Sequence, residues 1–406
     1  MADVCTLGTM SEPSIALPPA LAPVLERLED AGNATYLVGR CLRELCAGAI
    51  PADFELSTAA RPETILELFP RAVVIAADAR RAMLPTEAGP VDITPTRDGT
   101  LIEDELRHRD FRMHAVAYRP RSGTWVDPFD GRTDRRENRL RTPLPPLECF
   151  AEDPVRALRA ARLVAELDCE VDPEIETAMR ETAPVFEKLG GRRLRIELDA
   201  LLVADHVGPA LGLLERTGLT RTIAPGASSD APDVVPHLPN DLTLRWAGWL
   251  RGARLRTTLR KLRCPRDRAA RIEQLLQLHP VDSGTRAARE ARARRLARRP
   301  EAERAGLLAL RETELAARPD PAARQRFEHL VGCLERAQRS DEQARLRSTL
   351  ALDGRDVMNH LGCRPGATVG LALRYLADRV RTDPSLNEAG ALRALLDEWA
   401  AESRPR

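Results

Sequence analysis

The stretch Glu152-Asp153-Pro154-Val155-Arg156-Ala157-Leu158-Arg159 marks a change of character in this chain of 406 residues. Before it, short β-prone runs alternate with helical segments. After it, Ala-, Leu-, Arg- and Glu-rich segments keep the 3.6-residue period of helices almost to the end. On a helix, Asp153 and Arg156 can present an acceptor and a donor to the edge of one nucleobase. Asp153 before Pro154 also fits an ordinary helix cap.

This pattern predicts an α+β fold, in which a small mixed-sheet head is followed by an all-helical neck, body and tail. The β-prone runs of the head end at Val38, Leu56, Thr94 and Tyr118. We expect the following divisions: a flexible N-terminal tail (1–18), the head (19–148), a neck (149–210), the body (211–345) and a tail (346–406).

The composition indicates a folded chain, since 43% of the residues are hydrophobic and 30% are charged. No apolar run reaches about 18 residues, so we expect no membrane span. The N-terminus has no basic region followed by an apolar one, so we expect no signal peptide. Aromatic residues make up only 3%, which argues against RNA binding by stacking on Phe and Tyr.

The eight cysteines are scattered and form no Cys-x-x-Cys pair. We therefore expect neither a disulfide framework nor a zinc site. Reduced thiols are typical of the cytosol, so the predicted location is cytoplasmic.

A basic stretch lies within a chain whose net charge is only +1. Residues 251–304 contain 17 Arg and Lys but 6 Asp and Glu, which favours a phosphate-rich partner such as RNA. A solvated helix face is the alternative. The candidate RNA contacts are Arg286, Arg289, Arg292 and Arg295.

An acidic pair, Asp53 and Glu55, lies in a predicted strand. Residues two apart on a strand face the same side, so the two carboxylates can converge on Mg²⁺. Such a pair also occurs on exposed strands that bind nothing.

Two further sites suit phosphate and sugar. Gly39 ends a strand, where its turn would let backbone N–H groups approach a triphosphate while Arg40 and Arg43 add charge. Arg109 beside Asp110 can bind ribose hydroxyls and phosphates. The alternatives are an ordinary turn and a surface ion-pair cluster.

The order of these motifs resembles the class II tRNA nucleotidyltransferase/poly(A) polymerase family, and the resemblance covers nearly the whole chain. The matching residues are Tyr36-Leu37-Val38-Gly39, Arg43, Asp53 and Glu55, Asp92-Ile93-Thr94, Arg109-Asp110-Phe111, Asp127-Pro128-Phe129, Glu152-Asp153 with Arg156, Leu158-Arg159-Ala160 with Arg162, Arg195-Ile196-Glu197-Leu198 and Gly354-Arg355-Asp356-Val357.

The resemblance implies a nucleotidyltransferase head that transfers CMP and/or AMP from CTP and ATP to RNA 3′ ends, most directly those of tRNA, releasing pyrophosphate. Asp53 and Glu55 would be catalytic and would bind Mg²⁺, with Asp92 as a third carboxylate. The implied nucleotide contacts are Gly39, Arg40, Arg43, Arg109, Asp110, Asp153, Arg156, Arg159 and Arg162, among which Asp153 and Arg156 would pair with the base. The resemblance also implies base recognition by the neck (149–210) and RNA binding by the tail (346–406).

The chain departs from the family pattern around the nucleotide. The unusual residues are Arg40, Glu44, Glu55, His108, Arg112 and His114. Two alternatives therefore stay open: a degenerate relative that only binds RNA, and a poly(A) polymerase that uses acceptors other than tRNA. Residues 242–252 lack the His-Asp pair of many relatives, so we expect no phosphohydrolase activity.

Overall fold

A computed structural model describes residues 15, 17–46, 48–74, 81–96 and 101–402. The predicted N-terminal tail therefore lies almost entirely outside the described residues. The chain divides into two compact units, Met1–Ala270 and Arg271–Arg406. The predicted borders at 148, 210 and 345 stay predictions. Among the described helices, none is long and apolar enough to cross a membrane.

The first unit contains a mixed sheet, and its strand order is β3-β4-β5-β2-β1-β6-β7. Only β2 and β5 pair in parallel; the other described neighbours are antiparallel. The strands are β1 (Thr35–Val38), β2 (Phe54–Thr58), β3 (Val73–Val74), β4 (Ala82–Thr86), β5 (Gly89–Pro95), β6 (Ala117–Arg119) and β7 (Thr124–Val126).

The side chains of β2 point alternately into the core and to the opposite face of the sheet. Phe54 and Leu56 are buried in one cluster with Leu28 and Ile93. Because successive side chains of a strand point to opposite faces, Glu55 points away from this cluster. The parallel register places Glu55 beside Asp92 of β5. The sheet thus brings two carboxylates from distant parts of the sequence together.

Helices pack on the sheet and connect its strands. They are α1 (Ala22–Asp30), α2 (Gly39–Cys46), α3 (Pro62–Leu68), α4 (Ile102–Arg107) and α5 (Gly131–Arg136), with a 3₁₀ turn at Arg112–His114. Helix α3 begins with Pro62, at a position where the missing N–H of proline costs no helical hydrogen bond.

The predicted strands are confirmed, but β3, β4 and β7 were not predicted. Ala82–Thr86 lacks β-branched residues before Thr86 and contains Pro85, which is typical of a break rather than a strand. β4 forms because it pairs with β5 across a tight turn, and Pro85 lies beyond the short stretch that β3 covers.

The rest of the first unit is almost wholly helical, as predicted. Its helices are α6 (Pro146–Glu152), α7 (Val155–Leu167), α8 (Pro173–Thr182), α9 (Arg192–Val203), α10 (Val207–Arg216), α11 (Leu219–Ile223), α12 (Ala231–Val234), α13 (Leu242–Trp249) and α14 (Leu255–Lys261), with 3₁₀ turns at Ala183–Glu187 and Val235–His237. A parallel pair, β8 (Arg139–Leu140) and β9 (Glu170–Val171), accompanies them.

The second unit is helical in its described part. Helix α15 (Arg266–Leu278) begins before the border between the units; α16 (Arg286–Ala297), α17 (Glu301–Ala317), α18 (Pro321–Thr349), α19 (Gly354–Leu361), α20 (Ala367–Thr382) and α21 (Ala389–Glu402) follow, with a 3₁₀ turn at Pro384–Leu386. Ala293 and Leu296 of α16 share a core cluster with Leu330 and Leu334 of α18.

A buried ion pair joins the loop before α16 to α17. Asp282 is 1% exposed and accepts hydrogen bonds from Arg311 Nε at 2.7 Å and Nη2 at 3.1 Å. Removing Asp282 takes two charge-assisted hydrogen bonds from the buried Arg311 and leaves only Glu314, 2.6 Å from Nη1, to offset its charge.

We therefore expect Asp282→Ala to lower the free energy of unfolding by about 3 kcal/mol, measured by urea denaturation followed by circular dichroism. The control is Asp397→Ala, because Asp397 pairs with His360 while its side chain is 71% exposed. That variant should lose less than about 1 kcal/mol. Equal losses in both variants would contradict a structural role for the buried pair.

Candidate active site

One cavity of about 520 Å³ gathers the metal and nucleotide contacts predicted from the sequence. It lies in the first unit, between the sheet and the helices that follow it. The predicted residues that line it are Gly39, Arg40, Arg43, Asp53, Glu55, Asp92, Arg109, Asp110, Asp153, Arg156, Arg159 and Arg162. Their convergence from positions 39 to 162 supports a shared site, while the role of each residue stays a prediction.

The acidic side of the cavity is built on β2 and β5. Asp53 directly precedes β2, and Glu55 faces Asp92 in the parallel register. Arg109 Nη1 donates to Glu55 Oε2 at 3.1 Å, and Arg81 forms an ion pair with Asp92. Each of these two carboxylates therefore lies beside an arginine that offsets its charge.

Gly39 makes room for the Glu55 carboxylate. Its φ is +73°, a left-handed conformation that glycine adopts without steric cost. A Cβ atom at this position would lie 2.6 Å from Glu55 Oε2. The turn between β1 and α2 thus needs glycine for its backbone and for the neighbouring acid.

Cys41 fixes α2 against β2. Its Sγ donates to Val38 O at 3.2 Å, and the Glu55 N–H donates to Sγ at 3.3 Å. Burial raises the pKa of the Cys41 thiol to about 12. The thiol therefore stays protonated at neutral pH and positions the strand that carries Glu55.

Asp110 is buried and is hydrogen-bonded through both carboxylate oxygens. Oδ1 accepts from the Phe111 N–H at 2.8 Å and lies 2.9 Å from His114 Nδ1; Oδ2 accepts from Arg159 Nη1 at 2.8 Å. Burial alone would raise the pKa of Asp110, but His114 and Arg159 outweigh it and hold the pKa well below its ordinary value. The carboxyl group is therefore ionised at neutral pH.

A chain of hydrogen bonds continues from Asp110 in both directions. Arg43 Nη1 lies 3.3 Å from His114 Nε2, so a His114 that donates through Nδ1 can accept from Arg43. Arg159 Nε and Arg162 Nε donate to the two oxygens of Glu197 at 3.1 and 2.6 Å. The network connects α2, the loop at Asp110, α7 and α9.

Asp153 lies just before α7 and makes two contacts. Its Oδ1 accepts from the Val155 N–H at 3.2 Å, as a helix-capping side chain does, although the cap position itself is Pro154. Its Oδ2 accepts from Arg193 Nη2 at 2.5 Å. Both the capping interpretation and a role in the cavity thus fit its placement.

Arg156 is held mainly by backbone carbonyl groups. Nη2 donates to His108 O at 2.7 Å, and Nη1 donates to Cys149 O at 3.1 Å and to Glu152 Oε2 at 2.9 Å. His108 Nδ1 lies 2.8 Å from Glu152 Oε1. The guanidinium group is therefore fixed in orientation at the cavity wall.

Several lining residues were not predicted as site residues. They are Leu56, Arg81, Thr94, Glu105, His108, His114, Leu163 and Glu197. Glu197 belongs to the family pattern, but only the packing of α9 against α7 shows that it joins two arginines. Arg81 had no recognisable signal, because it precedes a strand that the sequence did not predict.

The predicted RNA contacts all lie on α16 but differ in their surroundings. Arg286 and Arg295 are exposed. Arg289 Nη1 donates to Gly284 O at 2.6 Å, and Arg292 Nη1 donates to Val281 O at 2.7 Å. Arg289 and Arg292 thus stabilise the loop before α16, whereas Arg286 and Arg295 face solvent.

Two parts of the chain match described families. Residues 35–141 match the family described as "Poly A polymerase head domain". Residues 168–230 match the family described as "Probable RNA and SrmB- binding site of polymerase A". These stretches contain the acidic side of the cavity and part of the helical region.

Similar proteins are found among both characterised sequences and solved structures. The chain is 29% identical over 287 residues to a CCA-adding enzyme of Lactococcus lactis, covering 64% of this chain and 72% of that one. It is 31% identical over 231 residues to Poly(A) polymerase I of Haemophilus influenzae, covering 51% of each. The match thus spans about half to three quarters of these relatives.

A solved structure shares the fold. The CCA-adding enzyme of Bacillus stearothermophilus, in complex with CTP, aligns with a TM-score of 0.60 at 23% identity. The alignment covers 95% of this chain and 99% of that one.

The contact between Gly39 and Glu55 can be tested with a matched glycine. Gly48 has a φ of +74° but no atom within 4 Å of a Cβ placed there. Gly48→Ala should therefore cost only backbone strain, about 1–2 kcal/mol. Gly39→Ala should lower the free energy of unfolding further, since the Glu55 carboxylate must also move. Equal losses of unfolding free energy in the two variants, measured by urea denaturation, would show that the Glu55 carboxylate moves aside at no cost.

Proposed function

Because the chain belongs to the family of CCA-adding enzymes and poly(A) polymerases, a family of nucleotidyltransferases, we propose that it transfers CMP and/or AMP from CTP and ATP to RNA 3′ ends, releasing pyrophosphate. One observation carries this proposal: a single cavity combines acidic groups, arginines and the pair of Asp153 and Arg156. Transfer of a nucleotide to the RNA 3′-hydroxyl needs no covalent intermediate on the protein. The protein has only to position the reactants and offset their charge.

The acidic residues fit a divalent metal of the magnesium class. Asp53, Glu55 and Asp92 offer only carboxylate oxygens, which are the donors that Mg²⁺ prefers. They lie close together on or beside the adjacent parallel strands β2 and β5. The protonated Cys41 thiol does not compete with them for the metal. When bound, Mg²⁺ would offset the negative charge of the triphosphate and of the leaving pyrophosphate.

The arginines of the cavity suit the triphosphate. Arg109 and Arg81 neutralise Glu55 and Asp92 in this structure, and both line the cavity. Arg40 is exposed and pairs only with Glu44 among the described contacts, so it can turn towards a phosphate. Arg43 is held by His114, where it adds positive charge behind the Gly39 turn.

Asp153 and Arg156 would form hydrogen bonds with the base of the incoming nucleotide. An ionised Asp accepts hydrogen bonds and an Arg donates them. The Watson–Crick edges of cytosine and adenine each present an amino donor beside a ring-nitrogen acceptor. Uracil and guanine present a carbonyl where the amino group would be, so Asp153 would face another acceptor. The site therefore favours CTP and ATP.

RNA is the proposed acceptor, with the tRNA 3′ end as its most direct form. Residues 168–230 match an RNA-binding family description, and α16 exposes Arg286 and Arg295. A cytoplasmic location belongs to the same proposal, because the described cysteines are unpaired.

An incorporation assay distinguishes this function from its alternatives. Labelled ATP or CTP is supplied with tRNA lacking its 3′ CCA, with an unrelated RNA, or with no RNA. Addition that requires the tRNA supports the proposed function, whereas AMP addition to either RNA indicates a poly(A) polymerase. Binding of RNA without any incorporation would leave a degenerate relative.

In that assay we expect Asp53→Ala to abolish incorporation, because it removes an oxygen donor from the acidic side. Glu55→Asp should keep or raise the rate, since the shorter side chain restores the family's usual residue. The matched control is Asp30→Ala, which removes an exposed carboxylate paired with Arg121. A loss below about tenfold in Asp53→Ala, equivalent to about 1.4 kcal/mol, would refute the metal assignment.

The four-nucleotide profile tests base selection. Arg156→Ala and Asp153→Asn should slow the reaction and relax the preference for CTP and ATP, because a mismatched polar group costs about 1–3 kcal/mol. Arg180→Ala removes an exposed arginine from α8 and should leave the profile unchanged.

A purely capping role for Asp153 predicts a different result. Asn caps a helix as well as Asp, so Asp153→Asn would then keep both thermal stability and selectivity. Unaltered nucleotide choice in both Asp153→Asn and Arg156→Ala would remove these residues from base recognition.

A further inference from the structure

An acid, an imidazole and a thiol meet between two helices of the second unit. Glu290 lies on α16, while His329 and Cys333 lie one helical turn apart on the same face of α18. Their ligand atoms all lie within 4.8 Å of one another. His329 Nε2 is 3.8 Å from both Glu290 Oε1 and Cys333 Sγ.

We propose that Glu290, His329 and Cys333 bind Zn²⁺. Zinc accepts oxygen, nitrogen and sulfur ligands, and tetrahedral coordination at its usual bond lengths separates such atoms by about 3.4–3.6 Å. The two separations of 3.8 Å therefore need only a few tenths of an ångström of contraction. The third, between Glu290 and Cys333, is within 4.8 Å and closes by rotation of the partly exposed Glu290 side chain. Three protein ligands leave the fourth position to water.

The surroundings leave the ion a route to the site. Arg336 Nη2 donates to Cys333 Sγ at 3.1 Å, but Arg336 is exposed, so its guanidinium group can turn away from the sulfur. Arg286 pairs with Glu290, but its side chain is 78% exposed and can turn into solvent. All three ligand residues are partly exposed.

Such an ion would add a bond between two helices that already pack together. Ala293 and Leu296 of α16 share a buried cluster with Leu330 and Leu334 of α18, and the three proposed ligands lie beside that contact. A metal that bridges Glu290 to His329 and Cys333 would join α16 directly to α18. Since the unfolded chain does not preform this geometry, binding should stabilise the folded protein.

The sequence did not predict this proposed site. The expectation of no zinc site rested on the absence of Cys-x-x-Cys pairs, but the spacing His-x₃-Cys on a helix places two ligands on one face equally well. The third ligand lies far from both in the sequence and becomes a neighbour only through helix packing.

The test is cobalt titration of the metal-free full chain in excess Mg²⁺, which occupies sites built from carboxylates alone. Co²⁺ replaces Zn²⁺ as a probe, because its bond to a thiolate produces a charge-transfer absorption. We expect this absorption to saturate at about one Co²⁺ per chain, to disappear on addition of Zn²⁺, and to be absent in Cys333→Ser. Cys46→Ser, which alters an exposed cysteine of α2, is the control and should keep it.

The other two ligands give independent measurements. His329→Gln and Glu290→Gln should each weaken Zn²⁺ binding at least about tenfold in competition with a chromophoric chelator. Zn²⁺ should raise the thermal unfolding midpoint of the wild type and of Cys46→Ser, but not of Cys333→Ser. An absorption that persists in Cys333→Ser, or a wild type without stoichiometric Co²⁺ binding, would overturn the proposal.

Discussion

The buried carboxylate of Asp110 is the interaction on which the cavity depends. An ionised group in the interior is stable only when hydrogen bonds and opposite charge compensate its lost hydration. Here the loop N–H of Phe111, the ring of His114 and the guanidinium of Arg159 supply that compensation. Because Arg159 lies on α7 and Asp110 on the loop after α4, the sheet region and the helical region are fixed to each other through this carboxylate.

The residues that depart from the family pattern take part in this arrangement. His114 joins Asp110 to Arg43, and His108 contacts the same Glu152 carboxylate that Arg156 contacts. Arg112 instead turns its Nε to Thr142 O at 3.1 Å and supports the loop behind the cavity. The unusual side chains are therefore hydrogen-bonded into the site, so its polar groups stay compensated despite the substitutions.

The sequence allowed the fold class and twelve of the residues that line the cavity to be predicted, because both leave signals in the motifs and their order. Alternation around Phe54 and Leu56 marked a strand, and the ordered motifs indicated which residues converge. The partners of these residues were not predictable: Arg109 with Glu55, Arg81 with Asp92, and Arg159 with Asp110. Each pairing joins residues that only the chain topology brings together, and β4, which follows Arg81, was itself missed because its residues favour no strand.

The way in which Arg156 is held has a consequence for how this protein can change. Two of the acceptors that orient its guanidinium, His108 O and Cys149 O, are carbonyls of the main chain. No exchange of a side chain can delete a carbonyl, so these contacts tolerate point substitution at positions 108 and 149. They are instead sensitive to insertions, deletions and backbone strain in the two segments that carry them. Variation in loop length would therefore alter the direction in which Arg156 points more readily than variation in amino-acid identity.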